Sequence, residues 1–260
     1  MKTGLLARLT AAVTLVGVLA TGCQFGGDTF KAKFVRSEEL TAALDGVTAM
    51  DVNVEVGRIQ LEAAEVAETR IRAEIKVRAA TEERAEELAG RVRITAERSG
   101  HTLVIRAVKP SGFGRNELSV DLTIVAPAGL ALKCITNVGD ICTRGFTRGI
   151  TASTSVGAIT CAGLRGDVDL HTNVGDIRAE YASDAPAAIR VDASTNVGGI
   201  ELTGPQEVSA GLTAEANVGS IDTDRPLTVT GHLKQSIRAS LGNAEGRINL
   251  RTNVGSIRIR

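Results

Sequence analysis

The sequence predicts an all-β protein: a β-solenoid-like repeat stack preceded by a small N-terminal portion that carries one helix. Three observations predict this class. A motif of the form Thr-Asn-Val-Gly-x-Ile recurs through the second half, the segments between its copies alternate apolar and polar residues, and the chain is almost devoid of large aromatic residues. A period near 20 residues fits one coil of a β-solenoid and is too short for a pair of helices.

The motif glycines are separated mostly by 18 to 23 residues, with a last step of 13. Glycine tolerates positive φ and close backbone approach, so we expect it to turn a corner while the motif Val and Ile point into the interior. If the copies stack at one strand spacing each, seven of them make a column of about 30 Å. The glycines are Gly139, Gly157, Gly175, Gly198, Gly219 and Gly255, with a worn copy around Gly242 and an outlying copy at Gly57.

An asparagine precedes the motif valine in most copies. Its side-chain amide can both donate and accept, so stacked copies are expected to form an amide ladder. The residues concerned are Asn137, Asn173, Asn196, Asn217 and Asn253.

The segments between the motifs predict half-buried strands. Residues 168–172 and 189–193 alternate apolar and polar side chains with period two. Trp is absent, and the chain has one Tyr and five Phe. The core must therefore consist of Val, Ile, Leu and Ala, which suits a narrow interior with repeating layers.

The N-terminal half has the same alternation with a helix inserted into it. Strand patterns occur at 52–56, 71–77, 92–94, 103–105 and 120–124. Thr81 is placed to cap a helix over about 82–90, which Gly90 would end. We expect this helix to cover one open end of the stack.

The predicted divisions are 1–22, 23–44, 45–133 and 134–260: signal peptide, tether and N-terminal segment, helix-bearing β part, and repeat stack. One continuous β-structure is favoured over two independent domains. The last motif runs into Arg258-Ile259-Arg260, so the C-terminal strand is expected to be an edge. Alternating charge on an edge discourages pairing, although self-association through this edge stays possible.

The first 23 residues predict export and lipid anchoring. Lys2 and Arg8 form a positive region, an apolar run of about ten residues follows, and small residues precede Cys23. The run is too short to span a bilayer, which needs roughly 20 residues. The ending Leu19-Ala20-Thr21-Gly22-Cys23 resembles a bacterial lipobox, although Ala20 stands where Leu is commoner. Acylation of Cys23 would anchor the mature chain, and Gln24 favours the outer membrane over the inner.

Charge and cysteine content exclude several other classes. Removing 1–22 leaves 28 basic and 30 acidic groups, so no basic surface predicts a nucleic-acid partner. Cys134, Cys142 and Cys161 remain, and export permits a disulfide between 142 and 161 or between 134 and 161. No cofactor is predicted, and three cysteines without a nearby histidine do not predict a metal site.

Enzymatic interpretations are weak. None of the three histidines lies in a catalytic motif, and no nucleophile elbow or phosphate loop occurs. The strongest candidate is the pair Asp140 and Asp176, two copies apart and thus about 10 Å apart, with Asp167 and Asp169 expected one strand away. Glycoside hydrolysis uses two carboxylates at roughly 5–9.5 Å. Carboxylates at solvated corners explain the pair more simply, so no catalytic residue is predicted.

The serial Thr-Asn-Val-Gly-x-Ile copies, the Ala-Pro-Ala-Gly-Leu step at 126–130 and the N-terminal strand–helix–strand pattern resemble a bacterial family of β-strand-repeat domains labelled "putative adhesin". The resemblance covers roughly 45–260. The family more often has Thr-x-Asn-Gly-x-Ile, so the Val before Gly departs from its pattern. The resemblance implies a solenoid-like fold and a cell-envelope location, and it brings no catalytic residues.

These observations lead to three hypotheses for function. The first is a non-enzymatic, membrane-anchored lipoprotein of the cell envelope that acts as an adhesin or an envelope-organising module, binding an envelope protein or a glycan. The second is an envelope-sensing accessory subunit of a signalling system. The third is a carbohydrate-active β-helix enzyme that uses the Asp140 and Asp176 row.

Overall fold

The computed structural model of the protein describes residues 12–14, 32–233 and 235–260. Cys23 and the predicted signal peptide, apart from 12–14, lie outside these ranges. The described residues form two eleven-stranded sheets and one helix. The predicted fold class, an all-β solenoid-like stack with a small helix-bearing N-terminal portion, is therefore confirmed.

The elements follow one another along the chain in two groups. The N-terminal portion contains β1 (Ala12–Thr14), β2 (Ala32–Ala43), β3 (Ala49–Val56), β4 (Ile59–Ala63), β5 (Glu68–Ala79), α1 (Glu82–Arg91), β6 (Arg93–Ser99), β7 (Thr102–Val108) and β8 (Glu117–Ala126). The stack contains β9 (Ala131–Val138), β10 (Ile141–Arg144), β11 (Ile150–Val156), β12 (Ile159–Leu164), β13 (Val168–Val174), β14 (Ile177–Tyr181), β15 (Arg190–Val197), β16 (Ile200–Thr203), β17 (Ala210–Val218), β18 (Ile221–Thr223), β19 (Thr228–Leu233), β20 (Ser236–Leu241), β21 (Gly246–Val254) and β22 (Ile257–Ile259).

Each motif copy contributes one strand to each sheet. The strand after the motif glycine joins sheet A, in the order β1-β2-β5-β8-β4-β10-β12-β14-β16-β22-β18. The strand before it joins sheet B, in the order β19-β20-β17-β21-β15-β13-β11-β9-β3-β7-β6. Neighbouring copies are parallel and in register, so that Ile141 pairs with Ile59 on one side and with Ile159 on the other.

The core lies between the two sheets and is built from the inward residue of each alternating pair. Val168, Leu170 and Val191 are at most 3 % exposed, whereas their neighbours Asp169 and Asp192 are exposed. Buried side chains are mostly Val, Ile, Leu and Ala. Such small side chains let successive coils repeat the same packing at one strand spacing.

The helix forms where its capping residues predict it. The Thr81 hydroxyl accepts a hydrogen bond from the Arg84 backbone N–H at 3.2 Å. The helix buries its apolar side against β2 and β5, at the N-terminal end of sheet A. The sequence predicted that Gly90 ends the helix, but the last turn continues to Arg91. The Arg36 guanidinium of β2 donates to the Val92 carbonyl at 2.9 Å and thereby satisfies a carbonyl at the helix C-terminus.

The motif glycines form a single column through the stack. Their φ values lie between 140° and 149°, and a Cβ on any of them would meet a backbone oxygen of the neighbouring coil at 1.9 to 2.1 Å. The oxygen belongs to the preceding glycine in every case except the first, where it belongs to Val120. The column runs in the order Gly57, Gly139, Gly157, Gly175, Gly198, Gly255 and Gly219.

Gly242 lies outside this column, so the prediction of a worn motif copy there was wrong. Its φ is 53°, and it belongs to the turn between β20 and β21. β20 runs antiparallel to β17, and β21 runs parallel to it. The glycine is therefore needed for a chain reversal and not for a corner of the solenoid.

The C-terminal strand is not an edge, which corrects a second prediction. β22 lies between β16 and β18, and β21 lies between β15 and β17. After β16 the chain forms β17 to β20 and then returns, so that the last motif copy, in β21 and β22, lies between two copies that precede it in sequence. The expected self-association through a C-terminal edge therefore loses its structural basis, because both sides of that strand are already paired. At this end of the stack the outermost described strands are β18 and β19.

Replacing Gly175 with Ala should reduce the free energy of unfolding by about 3 kcal/mol or more. The new Cβ would lie 2.0 Å from the Gly157 oxygen, and the φ of 148° is unfavourable for any L-residue. Chemical denaturation of the full chain measures the change.

The matched control is Gly90→Ala, because that position lies in α1 with no atom within 4 Å of a new Cβ. This change should stabilise the protein by up to about 1 kcal/mol. Equal effects of the two substitutions would show that the close approach at the corner has no energetic weight.

Candidate functional site

At the corner formed by the stacked motifs, the side chain at a given motif position points the same way in successive copies. The motif isoleucines of β10, β12, β14, β16 and β22 are at most 2 % exposed. The motif valines face solvent instead, which corrects the prediction that they fill the interior. Asn and Val are consecutive and both exposed, because the strand alternation ends at the threonine where the chain begins to turn. The valines are Val138, Val156, Val174, Val197 and Val254 at 45–48 % exposure and Val218 at 62 %.

The motif threonines point inward and connect neighbouring coils. Thr172 is fully buried, and its hydroxyl donates to the Gly157 carbonyl at 3.0 Å. This oxygen faces the next coil at the crowded glycine column. Without the hydroxyl it would be a buried acceptor with no hydrogen-bond donor. The other bonds of this kind are Thr136 to Gly57, Thr154 to Gly139, Thr195 to Gly175 and Thr252 to Gly198, at 2.8 to 3.3 Å.

This role of threonine was missed from sequence. Its recurrence two positions before each valine was visible, but threonine is also a common strand residue. The copy that lacks it is informative, because Ala216 stands at the corresponding position of the 216–221 copy. That copy occupies the end of the column, next to Gly255. The last copy of the chain has the hydroxyl of Thr252 and lies inside the stack.

The asparagines outside the corner form the amide ladder that the sequence suggested. Asn196 donates to Asn173 at 3.2 Å, Asn253 donates to Asn196 at 2.9 Å, and Asn217 donates to Asn253 at 2.9 Å. Asn137 is separated from Asn173 by the copy that carries Ser155. The ladder therefore covers the four copies at the C-terminal end of the column.

The carboxylates of Asp140 and Asp176 cap backbone groups of the adjoining coil. Asp140 Oδ1 accepts from the Ala158 N–H at 3.0 Å, and Asp176 Oδ1 accepts from the Gly199 N–H at 2.7 Å. Asp140 also forms an ion pair with Arg58 at 3.3 Å. Each carboxylate is directed at its own neighbouring coil, so the geometry supports a structural role for both.

The other two candidate carboxylates belong to a different surface. Asp167 and Asp169 lie at the start of β13 in sheet B, whereas Asp176 precedes β14 in sheet A. The expectation that they lie one strand from Asp176 was wrong, because the corner separates the two sheets. Asp169 instead pairs in register with Asp192.

All three described cysteines are free thiols. Thr143 pairs with Cys161 in register, so Cys142 and Cys161 project to opposite faces of sheet A. Burial raises the pKa of the Cys161 thiol to about 12 and raises that of Cys134 as well. Both buried thiols are therefore protonated and poorly nucleophilic at neutral pH.

Two further properties of the described residues bear on function. No group of three or more His, Cys, Asp or Glu side chains among them is arranged to hold a metal ion. Over the same ranges, no helix is long and apolar enough to cross a membrane.

Comparison with known proteins identifies the repeat region. Residues 136–260 match the family model described as Toastrack DUF4097. Among curated proteins, none matches the chain.

Three similar solved structures are a "putative cell adhesion protein" from Clostridium sporogenes, a "putative adhesin" from Bacteroides fragilis and a "putative lipid binding protein" from Parabacteroides distasonis. The first is 13 % identical with a TM-score of 0.48 and covers 86 % of this chain and 98 % of its own. The second is 14 % identical with a TM-score of 0.34, covering 90 % and 100 %. The third is 13 % identical with a TM-score of 0.32, covering 86 % and 94 %. Similarity at this level transfers neither residue roles nor function.

Replacing Thr172 with Val should reduce the free energy of unfolding by about 1–3 kcal/mol, although the shape is kept and the new side chain is apolar. The loss would come from the Gly157 carbonyl, which would lose the hydroxyl donor at 3.0 Å. Thermal or chemical denaturation measures it.

The control is Thr151→Val on the neighbouring strand β11, where the side chain is exposed. A change within about 0.5 kcal/mol is expected there. If Thr172→Val were as stable as the unmodified protein, the hydroxyl–carbonyl bond would not be what joins the coils at the corner.

Proposed function

We propose that the chain, whose residues 136–260 match the Toastrack DUF4097 family model, is a non-enzymatic, lipid-anchored protein of the cell envelope. Its β-stack serves as a binding scaffold, as an adhesin or an envelope-organising module does. The anchor is acylated Cys23, and the outer membrane is favoured by Gln24 if the cell has one. The partner is a protein of the envelope.

The observation that carries this proposal is the outer edge of the corner. Six motif valines are aligned in register and about half exposed. At one strand spacing per copy they make an apolar row of about 25 Å. The asparagine ladder runs directly beside it. Contiguous exposed apolar surface with a polar border is typical of protein interaction sites.

Chemistry favours a protein partner over a glycan for this edge. Aliphatic side chains pack well against apolar side chains, whereas aromatic rings supply the flat faces on which sugar rings stack. The chain has no Trp, and its one Tyr, Tyr181, is only 4 % exposed. Amide groups beside the valines can bond to an extended backbone, which needs alternating donors and acceptors.

The engagement of the motif carboxylates supports a non-enzymatic role. General acid–base chemistry on a glycosidic bond needs carboxyl oxygens directed into a shared cleft. Asp140 and Asp176 each direct Oδ1 at a backbone N–H of the next coil. Each carboxylate thus has one oxygen engaged in a bond that stabilises the stack.

The double variant Val174→Gln/Val197→Gln should reduce capture of the partner in intact cells to background. The measurement is photo- or chemical crosslinking of the anchored protein followed by mass spectrometry. Both positions are about half exposed, so the melting temperature should change little. The matched control is His171→Gln/Ser194→Gln, three residues earlier on the same strands and outside the valine row.

Loss of capture in both variants, or in neither, would contradict the assignment of the valine row. Capture of a membrane signalling protein would instead support an envelope-sensing accessory subunit. Capture of polysaccharide alone would overturn the choice of a protein partner.

Cys23→Ser should release the protein from the membrane fraction, because serine cannot accept the thioether-linked lipid. Mass spectrometry of the N-terminal peptide of the unmodified protein should show an acylated Cys23. A Cys23→Ser protein that still sediments with membranes, or an unacylated Cys23, would contradict the anchor.

A further inference from the structure

A groove of about 500 Å³ opens at the end of the molecule formed by β2, β5 and β8. Its charged lining consists of four basic side chains and one carboxylate: Lys33, Lys76, Arg78, Lys109 and Glu117. The chain as a whole has a formal net charge of zero. The lining of the groove is therefore net positive although the chain as a whole is neutral.

Two of the four cations are compensated within the protein. Lys76 Nζ lies 2.6 Å from Asp121 and 2.9 Å from Glu74, and Arg78 lies 3.6 Å from Glu117. The side chains of these pairs are partly exposed, so each pair is weak and can be rearranged by a competing anion.

The other two cations have no carboxylate within ion-pair distance among the described residues. Lys33 and Lys109 are both exposed, and Lys109 Nζ lies 5.5 Å from the centre of the Phe113 ring. These two lysines leave the positive charge of the groove open to an external anion.

The register of the sheet adds a like-charge contact. Lys33 of β2 lies directly opposite Arg78 of β5. Like charges opposite each other on neighbouring strands are destabilising unless an anion lies between them. On its other side Arg78 lies opposite Glu117 of β8, so only one of its two cross-strand neighbours compensates its charge.

The groove also has an apolar part. Val56 and Leu118 line it, and both are only partly buried. Cationic groups beside partly exposed aliphatic side chains match the headgroup region of a membrane, where phosphate groups lie next to the first acyl carbons. A fully hydrated small anion would need no such surface.

The position of the groove along the chain selects a membrane among anionic partners. Lys33 follows Cys23 by ten residues. A fully extended segment of that length spans at most about 35 Å. A chain anchored at Cys23 therefore keeps this end of the fold close to the bilayer, whereas β16 to β22 lie at the opposite end of the stack.

We propose that the groove binds the anionic phospholipid headgroups of the membrane to which the chain is anchored, and so orients the stack with its far end directed away from the bilayer. This inference rests on the proposed lipid anchor. Each basic side chain that reaches an anionic surface strengthens binding by about fivefold. The interaction acts only at close range, because salt screens charges beyond roughly 8 Å at physiological ionic strength.

The test uses the full acylated chain reconstituted into vesicles of phosphatidylcholine with or without phosphatidylglycerol. An amine-acylating reagent followed by mass spectrometry measures the reactivity of Lys33 and Lys109. Both should react about fivefold or more slowly when phosphatidylglycerol is present, and high salt should remove this protection. Lys133, exposed on sheet B within the stack, is the internal control and should react equally in both vesicles.

Two double variants distinguish binding by the groove from a general effect of the protein's charge. In Lys33→Gln/Arg78→Gln, the protection of Lys109 by phosphatidylglycerol should be lost. In Arg144→Gln/Arg258→Gln, which removes two exposed charges from sheet A in the stack, the protection of Lys109 should persist. Unchanged protection in the first variant would overturn the assignment of the groove.

The remaining outcomes distinguish the groove from the anchor, because mass spectrometry of the N-terminal peptide reports acylation separately. An acylated chain whose lysines react equally in both vesicles overturns the groove and leaves the anchor intact. An unacylated chain that phosphatidylglycerol still protects supports the groove and overturns the anchor. Equal protection by inorganic phosphate without vesicles overturns the choice of a lipid, as does protection of Lys133 together with Lys109.

Discussion

Between successive coils of the glycine column, a glycine carbonyl faces the Cα of the glycine in the next coil, at a distance that leaves no room for a side chain. The threonine hydroxyl of that next coil donates to the same oxygen, as Thr154 does to Gly139 at 3.1 Å, except at the end of the column, where Ala216 replaces the threonine. A glycine without this hydroxyl would bury an unsatisfied acceptor, and the hydroxyl without the glycine would have no close oxygen to bond. Register, parallel pairing and the orientation of the remaining motif residues follow from this contact, because it fixes each coil directly above the one before.

The exposed features of the molecule depend on that corner. Since the motif threonine points inward and the chain turns directly after it, Val and the residue before it are both displaced to the outside. That residue is Asn in five copies and Ser155 in a sixth. Identical outward residues then repeat at one strand spacing and produce a continuous row of valines beside a row of amides. The same geometry brings the carboxylates of Asp140 and Asp176 against backbone N–H groups. The exposed valine row and the two capping carboxylates thus come from the same turn.

The two ends of the stack differ in ways that bear on the proposed lipid anchor. The N-terminal end has antiparallel strands, a helix and a cationic groove, and it lies within reach of Cys23. The other end contains the copy with Ala216 and the β19–β20 hairpin. A groove with a net positive lining therefore lies at one end of the stack although the chain is neutral overall.

The sequence by itself determined the class of fold, the positions of the corners and the amide ladder, because these depend on local periodicity and on the backbone freedom of glycine. Only the tertiary structure decided which side of the corner each residue occupies and which copies are neighbours. Val was predicted inside and Thr had no assigned role, since period two does not continue through a turn. The last copy lies between the copies of Gly198 and Gly219 and not at an edge, because strands pair by fit in space and the chain between 205 and 245 is long enough to return.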